Sequence, residues 1–124
     1  MKKVIKTNAA PAAIGPYSQA IKAEGLIFYS GQIPLDPETG EMVSGGISAQ
    51  TVQVMANMRA MLQASGLDYN NVIKTTLYLT DLDDFSIVND IYGECFKTTP
   101  PARACVQVAA LPKGAAIEID WIAA

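Results

Sequence analysis

Arg103, Cys105 and Glu118 are the residues whose types and placement could do chemistry in this chain. Arg103 and Cys105 alternate within Ala102 to Val108, which reads as a strand, so they share one face of it. Arginine presents a planar fork matched to a carboxylate. The stiff lead-in Pro100-Pro101-Ala102 would hold that fork in place. A structural ion pair with Glu118 or Asp120 is the competing role for Arg103, and the same pair competes with a catalytic role for Glu118. Cys105 reads as a small buried hydrophobe rather than a nucleophile, because no histidine is present to activate it.

That absence of histidine removes whole classes of chemistry. No Ser-His or Cys-His pair can form within the chain. Zinc sites take His or several Cys, and only Cys95 and Cys105 are available. A general base must then be a carboxylate, or failing that Lys, Tyr or Cys.

A second cluster is Gly15-Pro16-Tyr17-Ser18-Gln19, together with Ser30-Gly31-Gln32. Gly31 would let a ligand approach the backbone closely, and the Tyr17 hydroxyl could bond it or simply cap a core. Ser30, at a strand end, could equally satisfy local backbone. Met55, Met58 and Met61 read as core filler, and Asp81, Asp83 and Asp84 as helix-start chemistry rather than a metal site.

The elements that must position these groups follow from periodicity and punctuation. Val4-Ile5 is a short strand, and Thr7 to Tyr17 is an ordered loop carrying Pro11, Gly15 and Pro16. Gln19 to Ala23 and Leu26 to Ser30 form a hairpin about Glu24-Gly25. Gly31 to Gly46 is a second loop, with Asp36-Pro37-Glu38-Thr39-Gly40 as its turn. Ser48 to Ser65 is a helix, with Ser48 as N-cap, Gly66 as left-handed C-cap, and Val52, Met55, Met58 and Leu62 as its inner stripe.

Val72 to Thr80 alternates as a strand, with Ile73, Thr75, Leu77 and Leu79 expected on the buried side. A second helix carries Phe85, Val88, Tyr92 and Phe96 inward and ends at Thr98-Thr99-Pro100-Pro101. Strands near Ala102 to Val108 and Ala116 to Ile122 complete the order β-β-β-α-β-α-β-β.

The 124 residues fit a single α+β domain spanning 1–124, and a composition that is 50% apolar supports a core without a disulfide or metal staple. A net charge of −3 argues against a nucleic-acid partner. No run approaches a membrane span, and the start at Met1-Lys2-Lys3 lacks the apolar segment of a signal peptide. With no cysteine framework, a reducing cytoplasm is the expected setting.

Two amphipathic helices on one face of a mixed sheet is the economical packing. The other sheet face then needs a cover, and a second subunit is the natural one. The apolar sets of the last two strands, Ala104, Val106 and Val108 with Ile117, Ile119 and Trp121, are expected to face the helices. Arg103, Cys105 and Glu118 are thereby expected together on the opposite face, at a subunit contact.

Along nearly its whole length the chain resembles the RidA (YjgF-type) reactive-intermediate deaminases. The resemblance rests on Gly15-Pro16-Tyr17-Ser18-Gln19-Ala20, Ser30-Gly31-Gln32-Ile33-Pro34 and Val72-Ile73-Lys74-Thr75-Thr76. It continues through Asp84-Phe85 with Asn89 and Tyr92, then Pro101-Ala102-Arg103 and Glu118-Ile119. It implies a chorismate-mutase-like fold, assembled as a homotrimer with clefts between subunits. It also implies hydrolysis of enamines and imines such as 2-aminoacrylate to a 2-keto acid and ammonia, without metal or cofactor.

On this resemblance Arg103 binds the substrate carboxylate and Glu118 activates water. Cys105 and Gly31 border the substrate, Ser30 and Tyr17 line the cleft, and Asn89 is a further candidate. Cys95, Trp121 and Gly45-Gly46 depart from the family pattern. The rival function is a non-catalytic trimer that binds 2-keto or amino acids. An acidic Glu118 beside Arg103 would favour the enzyme, since a carboxylate binder gains nothing from a nearby negative charge.

Overall fold

The computed structural model describes residues 1–124. Its elements are β1 (Lys3–Ile5), β2 (Ala20–Ala23), β3 (Leu26–Gln32), α1 (Ile47–Ala64), β4 (Val72–Leu79), α2 (Phe85–Cys95), β5 (Ala102–Gln107) and β6 (Ile117–Ala123). The expected element order holds. The strands form one six-stranded sheet in the order β1-β2-β3-β6-β4-β5. Both β3 and β4 pair antiparallel with β6, so they run parallel to each other across it. β4 and β5 pair directly in parallel, with α2 as the crossover that parallel neighbours require.

The two helices cover one face. Val54, Met58, Met61 and Leu62 of α1 and Val88 of α2 are fully buried with Leu77, Leu79, Ile117 and Ile119 of the sheet. Each such side chain contributes about 1.5–3 kcal/mol of transfer free energy. Trp121 lies in the same layer, stacked on Tyr29 with ring centroids 4.6 Å apart. A Schellman motif closes α1: Leu67 N–H donates to Leu62 O and Gly66 N–H to Gln63 O.

Several local expectations are corrected. Gly46, with no side-chain bond, occupies the α1 N-cap, and Ser48 lies inside the first turn. The chain enters the helix through Gly45 at φ +110°, and Gln50 N–H makes the first ladder bond to Gly46 O. Val52 is 57% exposed and leaves the inner stripe to Thr51, Val54 and Met61. It lies about 120° around the helix from Met58, whereas Thr51 lies within about 20° of it. In β4 a bulge opposite β6 between Val72 and Lys74 turns Val72 inward and Ile73 outward.

The largest correction concerns β5. Its register pairs Arg103 with Thr75 and Cys105 with Leu77, both of which lie beneath the helices. Arg103 and Cys105 therefore face α2, while Ala104 and Val106 face the open side. The apolar pattern misleads here because β5 is an edge strand. Its helix side is thinly covered, so Arg103 reaches solvent past Phe85 and Tyr92.

The open face carries Glu118, Asp120 and Ile122 of β6. A row of side chains crosses it from strand to strand: Val4, Ile21, Phe28, Ile122, Lys74 and Ala102 are successive register partners. Val4 and Phe28 are among its exposed apolar members.

Candidate functional site

Arg103 is held from three sides by α2. Its Nη1 donates to Asn89 Oδ1 at 2.8 Å, and its guanidinium lies 5.3 Å and 5.0 Å from the ring centroids of Phe85 and Tyr92. Cation–π contacts of this kind are worth about 0.5–1 kcal/mol each where exposed. Tyr92 is itself fixed, its hydroxyl 2.8 Å from Thr75 Oγ1 in the core. The guanidinium has no acidic partner; the one ion pair of the chain is Lys97–Glu94. The expected alternative of a structural pair with Glu118 or Asp120 is therefore not realised. A cavity of about 390 Å³ opens beside Arg103 and Asn89, bounded by Phe96, Pro100 and Pro101.

Cys105, two residues on along the same face of β5, is partly buried against the core and does not line this cavity. Burial raises its thiol, with Arg103 pulling the other way, so the group is not poised as a thiolate.

Glu118 lies on the other face of the sheet, packed on Gly31. A Cβ built at residue 31 would stand 2.8 Å from the Glu118 Cδ and closer still to Oε2. Gly31 has no positive φ, so the need for glycine is one of space alone. Burial, and then the nearby Asp120, raises the Glu118 carboxyl above its ordinary value. Asp120 in turn accepts from the Tyr78 hydroxyl at 2.9 Å.

Gly31 sits in an irregular stretch of β3, where the register against β6 shifts between Tyr29 and Gln32. Such a bulge re-aims side chains next to sites. Ser30 uses its hydroxyl to donate to Ser18 O, and its N–H donates to Gln19 O at 3.0 Å. Its local role is thus to seat the loop that carries Tyr17. Tyr17 is 53% exposed and lines a cavity of about 360 Å³ together with Gly31.

The candidate residues therefore fall into two groups. Arg103, Asn89 and Cys105 form one on the helix side; Tyr17, Ser30, Gly31 and Glu118 form the other. The expectation that Arg103, Cys105 and Glu118 share a face within one chain is wrong.

Two residues have positioning roles that the sequence did not show: Gln19, named only as part of a cluster and a strand start, and Asn57, which was not named at all. Gln19 is buried, and its amide accepts from Thr7 N–H at 2.9 Å while donating to Thr7 O at 3.1 Å and Pro11 O at 2.8 Å. It clamps the loop in front of Tyr17. Asn57, buried on α1, donates to Leu35 O at 3.0 Å and Ile33 O at 3.3 Å, fixing the segment after β3. A polar residue in a loop or helix gives no sign of which backbone it will meet.

Fold and side-chain placement together define a chorismate-mutase-like domain that presents an anchored guanidinium and a glycine-seated carboxylate on separate surfaces. The chain belongs to the RidA (YjgF-type) family: the family profile described as Endoribonuclease L-PSP matches residues 7–124. It is 51% identical over 123 residues to the human protein named 2-iminobutanoate/2-iminopropanoate deaminase, covering 99% of this chain and 90% of that one. RidA from the Antarctic bacterium Psychrobacter superposes with a TM-score of 0.93 at 45% identity, over 98% of each chain. TdcF of E. coli, solved with bound serine, gives 0.92 at 43% identity over 98% of this chain and 97% of that one.

Proposed function

We propose that this protein hydrolyses reactive 2-enamine and 2-imino acids, of the 2-aminoacrylate type, to 2-keto acids and ammonia, at sites shared between subunits of a homotrimer. The observation that carries the reading is Arg103, a guanidinium fixed by Asn89 and two aromatic rings yet left without an acid. That is a prepared seat for a small carboxylate. The full-length likeness to proteins named as such deaminases supports the same reading.

The chemistry follows from the residue types. An enamine tautomerises to the imine, whose C2 is electrophilic. Glu118, with its raised proton affinity, accepts a proton from water as the oxygen bonds to C2, and the imine nitrogen takes a proton. Glu118 then returns its proton to the carbinolamine nitrogen; the C–N bond breaks as the hydroxyl gives up its proton and forms C=O, releasing ammonia and leaving the 2-keto acid. Clamp and base hold the reactants in one geometry, which can be worth several kcal/mol.

Because Arg103 and Glu118 occupy opposite faces of one sheet, a second copy must supply one of them. The apolar row on the open face offers the surface for that contact. Three copies close the assembly, as the resemblance implies. A cytoplasmic setting suits a chain whose two cysteines are both free, Cys95 and Cys105.

The test uses two strongly impaired variants. Arg103→Ala and Glu118→Gln are assayed alone, then co-refolded in equal amounts. Imine is generated in situ by an amino-acid oxidase, with semicarbazide as a competing trap. Neither variant alone should divert more than about a hundredth as much imine from the trap as wild type. The mixture should regain about one quarter of wild-type activity, the share of random interfaces that unite an intact Arg103 with an intact Glu118. No recovery would reject the shared site. No turnover by wild type would reject the deaminase in favour of a binding trimer.

A further inference from the structure

The cavity shared by Tyr17 and Gly31 is larger than the reacting atoms of a 2-imino acid require. At about 360 Å³ it falls within the range of small-molecule pockets. Pro11, Ile14, Ile33, Leu35 and Pro112 make an apolar wall, and Lys113 is the one charged residue of the lining. Gly31, on which Glu118 packs, is part of the lining, so the cavity adjoins the carboxylate that would activate water.

Lys113 holds an uncommon backbone conformation, at φ +57° and ψ +23°. Only Glu24, in the β2–β3 hairpin turn, shares a positive φ among non-glycine residues. The left-handed region costs a side-chain-bearing residue about 1 kcal/mol, and such strain concentrates at ligand sites. Lys113 forms no ion pair within the chain.

We propose that this cavity receives the substrate's side chain, and that Lys113 ranks substrates by the charge at its far end. Apolar and anionic side chains are accepted; cationic ones are disfavoured. The inference rests on the deaminase reading and names the substrate class of the same site. The apolar wall takes the carbons nearest the reacting centre, and the ammonium meets whatever group terminates the chain.

The test compares kcat/KM for imines derived from glutamate and from arginine, substrates of similar reach and opposite charge. Wild type should favour the glutamate-derived imine, and rising ionic strength should erode that preference, because the charge stands in partly solvated surroundings. Lys113→Gln should reduce the ratio and Lys113→Glu invert it, a change of about tenfold or more across the series. Ile14→Trp, which narrows the cavity, should lower turnover of the leucine-derived imine relative to the alanine-derived one. Should the glutamate-to-arginine ratio be the same in wild type and both Lys113 variants, and insensitive to salt, the proposal is overturned. The deaminase reading would then stand, since turnover itself persists. Failure of wild type to turn over any imine would remove both.

Discussion

Gly31 and Glu118 pack together between neighbouring strands, so close that a Cβ at residue 31 would displace the Glu118 carboxylate. The backbone of β3 and the carboxylate of β6 are therefore one unit. Gly31→Ala should push the Glu118 carboxylate out of position without straining the backbone, because φ there is not positive. A misplacement on the order of 1 Å costs about a hundredfold in rate. The expected result is a loss of that size in kcat with circular dichroism and oligomeric state unchanged. Retained activity would separate the base from this contact.

Arg103→Ala should remove the carboxylate clamp and lower kcat/KM by about a hundredfold, the worth of one or two charge-assisted hydrogen bonds. Asn89→Ala keeps the charge but frees the guanidinium from its 2.8 Å anchor. It should raise KM by a smaller factor, about tenfold, with kcat nearly retained. Equal losses in both variants would mean that orientation, and not charge alone, is what Arg103 supplies.

Glu118→Gln should be inactive and, at alkaline pH, more stable. The folded-state proton affinity of Glu118 is raised by burial and by Asp120. A carboxyl of this kind favours folding fully below its unfolded value, near 4.5, and that contribution is lost as pH rises through the folded value. Wild type carries the cost of the buried charge at pH 8, and the glutamine variant does not. Melting curves should show the variant above wild type at pH 8, with the gap closing below the ordinary carboxylate range. The same titration predicts that wild-type turnover falls as acid protonates the base.

Trp121 Nε1 is buried with no hydrogen-bond partner. An orphaned donor costs about 1–3 kcal/mol. Trp121→Phe removes that donor while keeping a ring against Tyr29, and its lost volume offsets part of the gain. Chemical denaturation should place it within about 1 kcal/mol of wild type, whereas Trp121→Ala should lose about 3–5 kcal/mol. A phenylalanine variant as damaged as the alanine one would point to an ordered water on the indole.

Element order was legible because hydrophobic period and Pro or Gly punctuation are local signals. The second helix, its inner stripe of Val88, Tyr92 and Phe96, and the Gly66 cap all lie where periodicity puts them. Which face each strand turns inward is not a local property. Ala104 and Val106 look like core, yet they face the open side, because pairing with Thr75 and Leu77 decides the direction of β5. The bulge at Ile73 reverses a pattern that would otherwise have been read correctly up to its first residue. The candidate residues were all named from the sequence, but their division between two surfaces depends on that same long-range pairing. The clamps by Gln19 and Asn57 join segments 12 and 22 residues distant in the chain, beyond the reach of any periodicity.

The position of β6 in the middle of the sheet governs the order in which the chain can fold during synthesis. Before residue 117 is made, β1, β2 and β3 can assemble as one meander and β4, α2 and β5 as a crossover unit. The two blocks have no strand pairing between them until β6 is inserted. Until then Leu77, Leu79, Ile27 and Tyr29 flank an empty lane with open edges on both sides, the arrangement most prone to mispairing with another chain. The strand of this sheet that is made last is the one that joins the halves. It also carries Glu118, so the carboxylate proposed to activate water and a continuous sheet arrive in the same event.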